Sequence, residues 1–287
     1  MLKLLVINIH EILTDCGNEP EIFLRNGKII LNIASIASGS SGNCYYIENG
    51  NDAILVDAGI STRQIVERIY RLGLSMSKLK GVFISHEHSD HIRGLEVFSR
   101  QYAIPIFMTQ NTYSSYGKII KASLLEFFSP DDEIKVGKIH INPFLKSHDG
   151  KEPCSFSVSS GCQNIAVMTD IGSICSNVVA HVRNADAVFL ESNYDDHMLQ
   201  AGRYPPFLKA RIASDFGHLS NTQAAQLALE HASDKLKHVF LSHISENNNT
   251  PELALDTFNR FIQGRKDLKP KVTIAPRHNE SCLVSLD

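Results

Sequence analysis

The sequence predicts a compact α/β fold, and three observations lead to that class. Short apolar runs rich in Ile and Val, typical of buried strands, recur along most of the chain. Amphipathic helical patterns separate several of these runs in both halves of the sequence. Hydrophobic residues make up 43% of the 287 residues, and no repeat, low-complexity tract or long Pro/Gly linker divides them. We therefore expect one large domain with a substantial core.

Strand candidates share a short length and an apolar, often β-branched composition. They are segments 30–37, 44–48, 53–57, 82–85, 105–108, 134–144, 154–159, 164–169, 187–190, 238–242, 272–275 and 281–286. Helix candidates share apolar residues at helical spacing, and they are segments 61–72, 92–102, 174–182, 220–232 and 251–263. The first predicted helix stops at Gly73. The fourth begins with a Ser-x-x-Gln capping box that ends at Gln223.

Composition limits the classes of function. The net charge of −3 gives no global attraction to nucleic acid, so a nuclease would need a local basic groove or bound cations. The six cysteines form no Cys-x-x-Cys pair, which excludes a zinc ribbon, and we expect free thiols. The apolar start at residues 1–7 breaks at Asn8, and no run reaches the roughly 20 residues of a membrane span. We expect a soluble, cytoplasmic protein that does not act at membranes.

The densest group of metal-binding residue types is segment 86–91, His-Glu-His-Ser-Asp-His, which directly follows the apolar run 82–84. In an extended chain its first two histidines point to the same side, because strand side chains alternate. A turn at the serine then presents Asp90 and His91 to a neighbouring position. Imidazole and carboxylate groups so arranged suit a divalent ion such as zinc, manganese or iron. We favour a metal site over a polar surface turn.

The His-x-His-x-Asp-His pattern resembles the signature of the metallo-β-lactamase superfamily. In that family the remaining ligands come from later strand ends, and this chain has candidates in the expected order: His148, Asp170 and His243. Asp57 ends an earlier strand, where the family keeps an Asp that supports the site. The resemblance implies an αββα sandwich, in which two sheets pack face to face with helices outside and the metal site lies at one edge.

Further segments are similar to the YycJ/WalJ group of this superfamily, whose core resembles that of ribonuclease Z. They are loop 38–44, turn 56–59, segments 217–221 and 241–243, and the Glu-Ser-Asn-Tyr segment 191–194. The resemblance implies 5′-to-3′ exonuclease activity on DNA. It supports a hydrolase domain over residues 31–287, whereas residues 1–30 match no recognised pattern and form an extension of unknown role.

The resemblance also implies two divalent metal ions, zinc or manganese, with iron as a further candidate. His86, His88 and His148 would hold the first ion, Asp90, His91 and His243 the second, and Asp170 would bridge them. Each of the three later residues could alone be a turn or core residue, but their order around the first motif favours ligands. We expect Asp57 to orient one of the ligands.

Asp90, His218 and Glu191 are the predicted catalytic residues. In nuclease-like branches a His in the Gly-His context of His218 helps to bind or protonate the leaving group. A phosphodiester needs such a group, and His titrates near neutral pH. We favour catalysis over a turn residue ahead of the helix cap. Glu191 either orients His218 or simply ends a strand, and both interpretations stand equally.

Ser40, Ser41 and Asn43 are candidates for substrate binding, because loop 38–43 offers hydroxyl and backbone N–H groups to a phosphate. A tight connection between strands is the slightly favoured interpretation of this loop. It lacks the Gly-Lys-Ser/Thr of a P-loop, so we expect no nucleotide cofactor. Basic candidates for a nucleic-acid track are Lys146, Lys151, Arg203, Lys209, Arg211 and Arg277; aromatic candidates for base stacking are Tyr113, Tyr116, Tyr194 and Tyr204.

Three functions compete. The favoured one is a metal-dependent phosphodiesterase that acts as an exonuclease, with DNA preferred over RNA. The same ligands equally support a small-molecule acyl or thioester hydrolase of the glyoxalase type. A non-catalytic, metal-stabilised binding protein is the third, and the complete ligand set argues against it. His218 with Glu191 separates the first two, because ester hydrolysis does not require this pair. The pattern selects neither the native metal nor an oligomeric state.

Overall fold

The computed structural model describes residues 30–286. Its strands are β1 (Asn32–Ala37), β2 (Cys44–Glu48), β3 (Ala53–Val56), β4 (Leu79–Phe83), β5 (Ile106–Met108), β6 (Leu125–Phe127), β7 (Ile134–Val136), β8 (Ile139–Leu145), β9 (Cys154–Ser160), β10 (Gln163–Met168), β11 (Ala187–Glu191), β12 (His238–Ser242), β13 (Lys271–Ile274) and β14 (Val284–Ser285). Its α-helices are α1 (Thr62–Arg71), α2 (Ser89–Ile92), α3 (Leu95–Tyr102), α4 (Gln110–Tyr116), α5 (Ser176–Asn184), α6 (Asp196–Ala201), α7 (Pro206–Ile212), α8 (Asn221–His231) and α9 (Pro251–Ile262). Single turns of 3₁₀ helix span Met76–Lys78 and Ala122–Leu124.

The strands form two seven-stranded mixed sheets in this part of the chain. The first has the order β14-β1-β2-β3-β4-β5-β6, and its strands β3 to β6 run parallel. The second has the order β13-β12-β11-β10-β9-β8-β7, with β10 to β13 parallel. Parallel strands end at the same side of a sheet, so each sheet gathers the residues that follow these strands along one edge.

Three apolar layers hold the sheets and helices together. Along β10, Ile165 and Val167 belong to the core between the two sheets, whereas Ala166 and Met168 belong to the layer beneath helices α5, α8 and α9. This division follows from the period-two alternation of strand side chains. A third layer joins the outer face of the first sheet to α1 and α3. The predicted αββα sandwich is confirmed.

Most predicted elements lie within a few residues of the observed ones, and two differ in kind. Segment 134–144 is a hairpin of β7 and β8 rather than one strand, because Gly137 turns the chain with φ +58°. Segment 92–102 contains only the end of α2 and the separate helix α3. The capping boxes at Ser61 and Ser220 are both present. Elements β6, α4, α6 and α7 were not predicted from the sequence, because at three to seven residues they are too short to display periodicity.

The extension predicted for residues 1–30 lies almost wholly outside the described residues. Cys44, Cys154, Cys162 and Cys175 are free, as expected, whereas Cys282 is disulfide-bonded, so the expectation of free thiols is wrong there. Among residues 30–286, no helix combines the length and the apolarity that a bilayer crossing requires.

Candidate metal centre

Strand ends from both sheets build the candidate site. Asp57 directly follows β3, and segment 86–91 follows β4, in the first sheet. Asp170 follows β10 and His243 follows β12 in the second sheet. Because these parallel strands finish at one edge of the sandwich, residues distant in sequence meet there. The edge location implied by the family resemblance is where the structure brings these residues together.

Three of these strand-end residues adopt a left-handed backbone. Asp57, Asp170 and His243 have φ values of 63°, 55° and 54°. Residues other than Gly rarely adopt this backbone conformation, and such backbone strain concentrates at functional sites. The sharp change of direction lets each side chain leave its strand toward the common centre.

Gly59 lies where three segments cross beneath the site. A Cβ atom at this position would come within 1.6 Å of the Asp90 carbonyl oxygen, so only glycine fits. Asn43 N donates to Asp90 O at 2.7 Å, Gly59 N donates to Asn43 O at 2.8 Å, and Ala58 N donates to His91 O at 2.8 Å. The turn after β3 thereby fixes the backbone of the histidine motif.

The first cluster consists of His86, His88 and His148. Nε2 of His86 lies 3.1 Å from Nδ1 of His88, and the ring centroid of His148 lies 4.9 Å and 5.2 Å from those of the other two. One nitrogen from each residue falls within 4.8 Å of the others, which is compatible with a shared ion. His86 and His148 are buried, and His88 is partly exposed.

The second cluster consists of Asp90, His91, Asp170 and His243. Asp90 Oδ2 lies 3.5 Å from Nε2 of both His91 and His243. Asp170 Oδ2 lies 3.1 Å from His91 Nε2, and its Oδ1 lies 3.7 Å from His148 Nε2 in the first cluster. The Asp170 carboxylate therefore stands between the two clusters, where the sequence analysis expected a bridge.

Several buried polar atoms at this centre have no hydrogen-bond partner among residues 30–286. They are His148 Nε2, His243 Nε2 and Asp170 Oδ2, whose 3.1 Å approach to His91 Nε2 is an ion-pair contact without hydrogen-bond geometry. A buried polar atom without a partner is costly, and coordination of a cation removes that cost. Nitrogen and carboxylate oxygen donors are those that zinc, manganese and iron accept in proteins. The donor set therefore fits divalent ions.

A surrounding shell of acceptors aims the imidazole rings inward. His91 Nδ1 lies 2.7 Å from Asp57 Oδ2, and His148 Nδ1 lies 3.0 Å from Gly217 O. His243 Nδ1 lies 2.8 Å from Glu191 Oε1. Donation by each Nδ1–H leaves Nε2 as the free lone pair, which is how protein histidines are oriented toward metals. Asp57 also accepts from Ser85 N and Ser85 Oγ at 2.8 Å and 2.9 Å, so its own position is fixed.

Electrostatics divides the histidines into two kinds. Burial works against a charge on His91 and His243, yet Asp170 and other carboxylates raise the pKa of His91 well above its usual value and that of His243 to about 10. Burial lowers the pKa of His86 well below its usual range and that of His148 to about 4. Without bound cations, His86 and His148 are therefore neutral, whereas His91 and His243 are imidazoliums paired with carboxylates.

His218 and Glu191 adjoin both clusters. His218 Nδ1 lies 2.9 Å from Glu191 Oε1, and its ring centroid lies 5.3 Å from that of His148 and 5.2 Å from that of His243. Glu191 is wholly buried, and its Oε2 also accepts from the backbone N–H of Leu219 at 3.1 Å. Burial favours the neutral acid, but His218, His243 and these hydrogen bonds lower the pKa of Glu191 to about 2. A buried carboxylate in this position orients two histidines and has no access to substrate.

The predicted substrate loop is a tight connection between antiparallel strands β1 and β2, with a Gly42 N to Gly39 O hydrogen bond of 2.8 Å. Ser40 and Ser41 are exposed, and Arg277 donates to Ser41 Oγ at 2.9 Å. Asn43 is buried, and its Nδ2 lies 3.2 Å from His91 Nε2. Ser40 and Ser41 are thus accessible to a substrate, whereas Asn43 packs against the second cluster.

Burial removes several other candidates from the surface. Lys146 is buried and donates from Nζ to Thr169 O at 2.7 Å, so it is not part of an exposed basic track. Tyr116 and Tyr194 are buried as well, which excludes them as base-stacking platforms.

Asp149 and Ser38 also lie at the candidate site, although the sequence did not predict them there. Asp149 Oδ1 lies 3.3 Å from His148 Nε2 and 3.6 Å from His88 Nε2, and Asp149 Oδ2 pairs with Arg211. Ser38 Oγ accepts from His243 N at 2.7 Å. Asp149 is adjacent to the predicted ligand His148, and this position could have indicated it. No sequence signal connects Ser38 to His243, which lies 205 positions away.

Comparisons with known proteins agree with this geometry. Residues 37–243 match the family model described as the Metallo-beta-lactamase superfamily. The chain is 35% identical over 236 residues to exodeoxyribonuclease YycJ of Bacillus anthracis, which covers 81% of this chain and 89% of that protein. The metallo-β-lactamase fold protein YhfI from Bacillus subtilis superposes with a TM-score of 0.69 at 18% identity, covering 90% of this chain and all of that one. The short form of human tRNase Z superposes with a TM-score of 0.60 at 15% identity, covering 89% and 99%.

The similarities to YhfI and to human tRNase Z concern the fold alone. The family match spans most of the described chain, and it includes the whole of segment 86–91 together with His148, Asp170, Glu191, His218 and His243. By its family match, its similarity to YycJ and its fold, the chain belongs to the metallo-β-lactamase superfamily and is a metal-dependent hydrolase.

Proposed function

We propose that this protein is a dinuclear-metal phosphodiesterase that removes nucleotides from DNA in the 5′-to-3′ direction. The observation that carries the proposal is the contact between His218 and Glu191 at the rim of the two clusters. With Nδ1 of His218 engaged by the carboxylate, Nε2 is the atom left for substrate, and the side chain is 20% exposed. The similarity to an exodeoxyribonuclease supports DNA as the substrate.

The proposed metal ligands divide as the two clusters do. His86, His88 and His148 would hold one ion, and Asp90, His91 and His243 the other, with Asp170 between them. When bound, such a pair of divalent ions polarises the scissile phosphate and lowers the pKa of water near neutrality. The donor set accepts zinc, manganese or iron.

The chain's own groups supply orientation and a proton. Asp57 and Glu191 hold the rings of His91 and His243 in the tautomers that coordination requires. His218, protonated at Nε2, donates that proton to the oxygen that leaves phosphorus, and Glu191 stabilises the charge that the ring carries beforehand. Asp90 reaches both His91 and His243 and would help to position the attacking water.

A substrate comparison tests the proposal. Purified full-length protein loaded with manganese is offered 5′-labelled single-stranded DNA, RNA of the same sequence and a glutathione thioester, and the metal content is measured in parallel. We expect labelled mononucleotides from DNA and slower release from RNA. Labelled DNA that shortens stepwise from its 3′ end before any labelled mononucleotide appears would contradict the 5′-to-3′ direction.

The glyoxalase-type alternative gives a different result in the same assay. Rapid thioester hydrolysis by fully metal-loaded protein that leaves all nucleic acid intact would overturn the phosphodiesterase proposal. The His218–Glu191 pair argues against that outcome, because thioester hydrolysis expels a thiolate that needs no protonation.

A further inference from the structure

We propose that Phe216 is a stacking platform for an unpaired nucleobase next to the cleaved phosphate. This inference rests on the proposed function and adds to it a subsite for single-stranded substrate. Phe216 lies two residues before His218, and its side chain is 61% exposed. Within residues 30–286 no aromatic ring stacks on it, so its faces are available to a ligand.

The backbone of Phe216 is fastened to the candidate metal centre from one side. Ser147 Oγ donates to Asp215 O at 2.5 Å, and Nδ1 of His148 lies 3.0 Å from Gly217 O. Phe216 is therefore flanked on both sides by contacts to the segment that carries a proposed ligand. These contacts fix the backbone from which the Phe216 side chain extends relative to the candidate metal centre.

Gly172 allows segment 215–217 to come close to the turn that follows Asp170. A Cβ atom at position 172 would lie 2.1 Å from Asp215 O and 2.7 Å from Phe216 Cα, so any other residue would push the segment away. Gly172 N also donates to Ser147 O at 2.7 Å, which ties the turn after Asp170 to the same loop. Phe216 thus lies close to the segments that carry two proposed ligands, His148 and Asp170.

The opposite side of the segment is fixed as well. His218 N donates to Ile212 O at 2.9 Å, and Leu219 N donates to Glu191 Oε2 at 3.1 Å. Phe216 thus combines an exposed aromatic side chain with a backbone that is held on both sides next to the candidate metal centre. Rigid presentation is what a stacking platform requires, because little freedom is lost when the ligand binds.

The chemistry around Phe216 favours a base over a phosphate. The neighbouring Asp215 is exposed and acidic, and Arg211 is already paired with Asp149. Neither of these two side chains therefore supplies a free cation for an anion. Stacking on an aromatic face needs no charge and accepts every base, which suits an exonuclease that must advance along any sequence.

Paired substitutions in the protein and the DNA test the inference. Phe216→Ala and Phe216→Tyr are compared with wild type and with Phe207→Ala, which removes another exposed Phe (76%, against 61% for Phe216) from the preceding helix. Each manganese-loaded protein is assayed for kcat/KM on a single-stranded oligonucleotide and on copies with one abasic residue at successive positions from the 5′ end. Metal content and Tm are measured for every variant.

We expect Phe216→Ala to lower kcat/KM on intact DNA by roughly 5- to 150-fold, the range of one lost stacking contact. Phe216→Tyr and Phe207→Ala should stay near wild type. One abasic position should produce a similar loss in wild type and no further loss in Phe216→Ala, because the ring and the base act as a pair. Metal content should not change.

Two results separate the failure of this inference from failure of the proposed function. If wild type is active and Phe216→Ala has the same kcat/KM on intact DNA, the stacking subsite is overturned and the exonuclease proposal is not. The same conclusion follows if an abasic residue lowers kcat/KM equally in both proteins. Metal-loaded wild type that does not degrade DNA overturns the exonuclease and the subsite together. A Phe216→Ala protein that changes its oligomeric state while its DNA kinetics stay normal would identify the ring as a protein contact instead.

Discussion

The Glu191 carboxylate lies 2.9 Å from Nδ1 of His218 at the end of the second sheet. The same oxygen lies 2.8 Å from Nδ1 of His243, so a single buried anion serves a proposed metal ligand and the proposed general acid. Two functions that can be measured separately therefore depend on one residue.

Replacement of Glu191 by Gln should impair both functions. The amide is nearly the same size but lacks the charge that pairs with His218 and His243, and loss of such a supporting group typically costs 10- to 100-fold in metal affinity or activity. Competition with a chromogenic chelator measures the affinity, and Glu252→Gln, an exposed substitution, is the control. Unchanged metal affinity would show that Glu191 does not support His243.

Asp57→Asn should weaken metal binding without unfolding the protein. Asp57 Oδ2 lies 2.7 Å from Nδ1 of His91, and an amide can present its N–H₂ group there in place of an acceptor. We expect a 10- to 100-fold loss of metal affinity. Asp256→Asn, at an exposed position of α9, provides the matched control. Equal affinities for the two variants would contradict the orienting role of Asp57.

Metal binding should release protons and strengthen as pH rises. The pKa of His91 is raised well above its usual value and that of His243 to about 10, so both rings carry protons at pH 7 that a cation must displace. His86 and His148 have lowered pKa values, are already neutral and release none. Calorimetric titration of manganese in buffers of different ionisation enthalpy measures this release. A heat of binding that is the same in every buffer would refute it.

Lys146→Met should lower stability and leave DNA affinity unchanged. Lys146 Nζ donates to Thr169 O at 2.7 Å, and loss of the donor leaves a buried carbonyl unsatisfied, at a cost of about 1–3 kcal/mol. Urea denaturation of metal-free protein measures the change, with exposed Lys266→Met as the control. A variant as stable as wild type that binds DNA more weakly would return Lys146 to the nucleic-acid track.

The proposed ligands could be found from sequence because each lies directly after an apolar strand. The last four residues of each strand that ends before Asp57, Asp170 or His243 are buried, and such runs are recognisable without a structure. Parallel strands then guarantee that their ends meet. The order of His148, Asp170 and His243 after the histidine motif, together with the family resemblance, indicated the remaining ligands.

The supporting contacts could not be predicted in the same way. Glu191 meets partners 27 and 52 residues away, and nothing in the local pattern distinguishes an orienting carboxylate from an ordinary strand end. The sequence predicts Lys146 as part of an exposed nucleic-acid track, because a charged side chain favours exposure. Its burial depends on a carbonyl partner 23 residues away, which the sequence does not reveal. The position of Phe216 beside the candidate metal centre depends on the close approach of Gly172, which only the folded chain reveals.

Protonation of the leaving oxygen by His218 is tested most directly by a sulfur substitution in the DNA. Manganese-loaded wild type and His218→Ala are compared on DNA whose first linkage has either the normal bridging 3′-oxygen or a bridging 3′-sulfur, which leaves as a thiolate without a proton. We expect His218→Ala to be slower on the oxygen linkage by about 10²- to 10⁴-fold, and close to wild type on the sulfur linkage, with equal metal content. An equal loss on both linkages would contradict proton donation by His218.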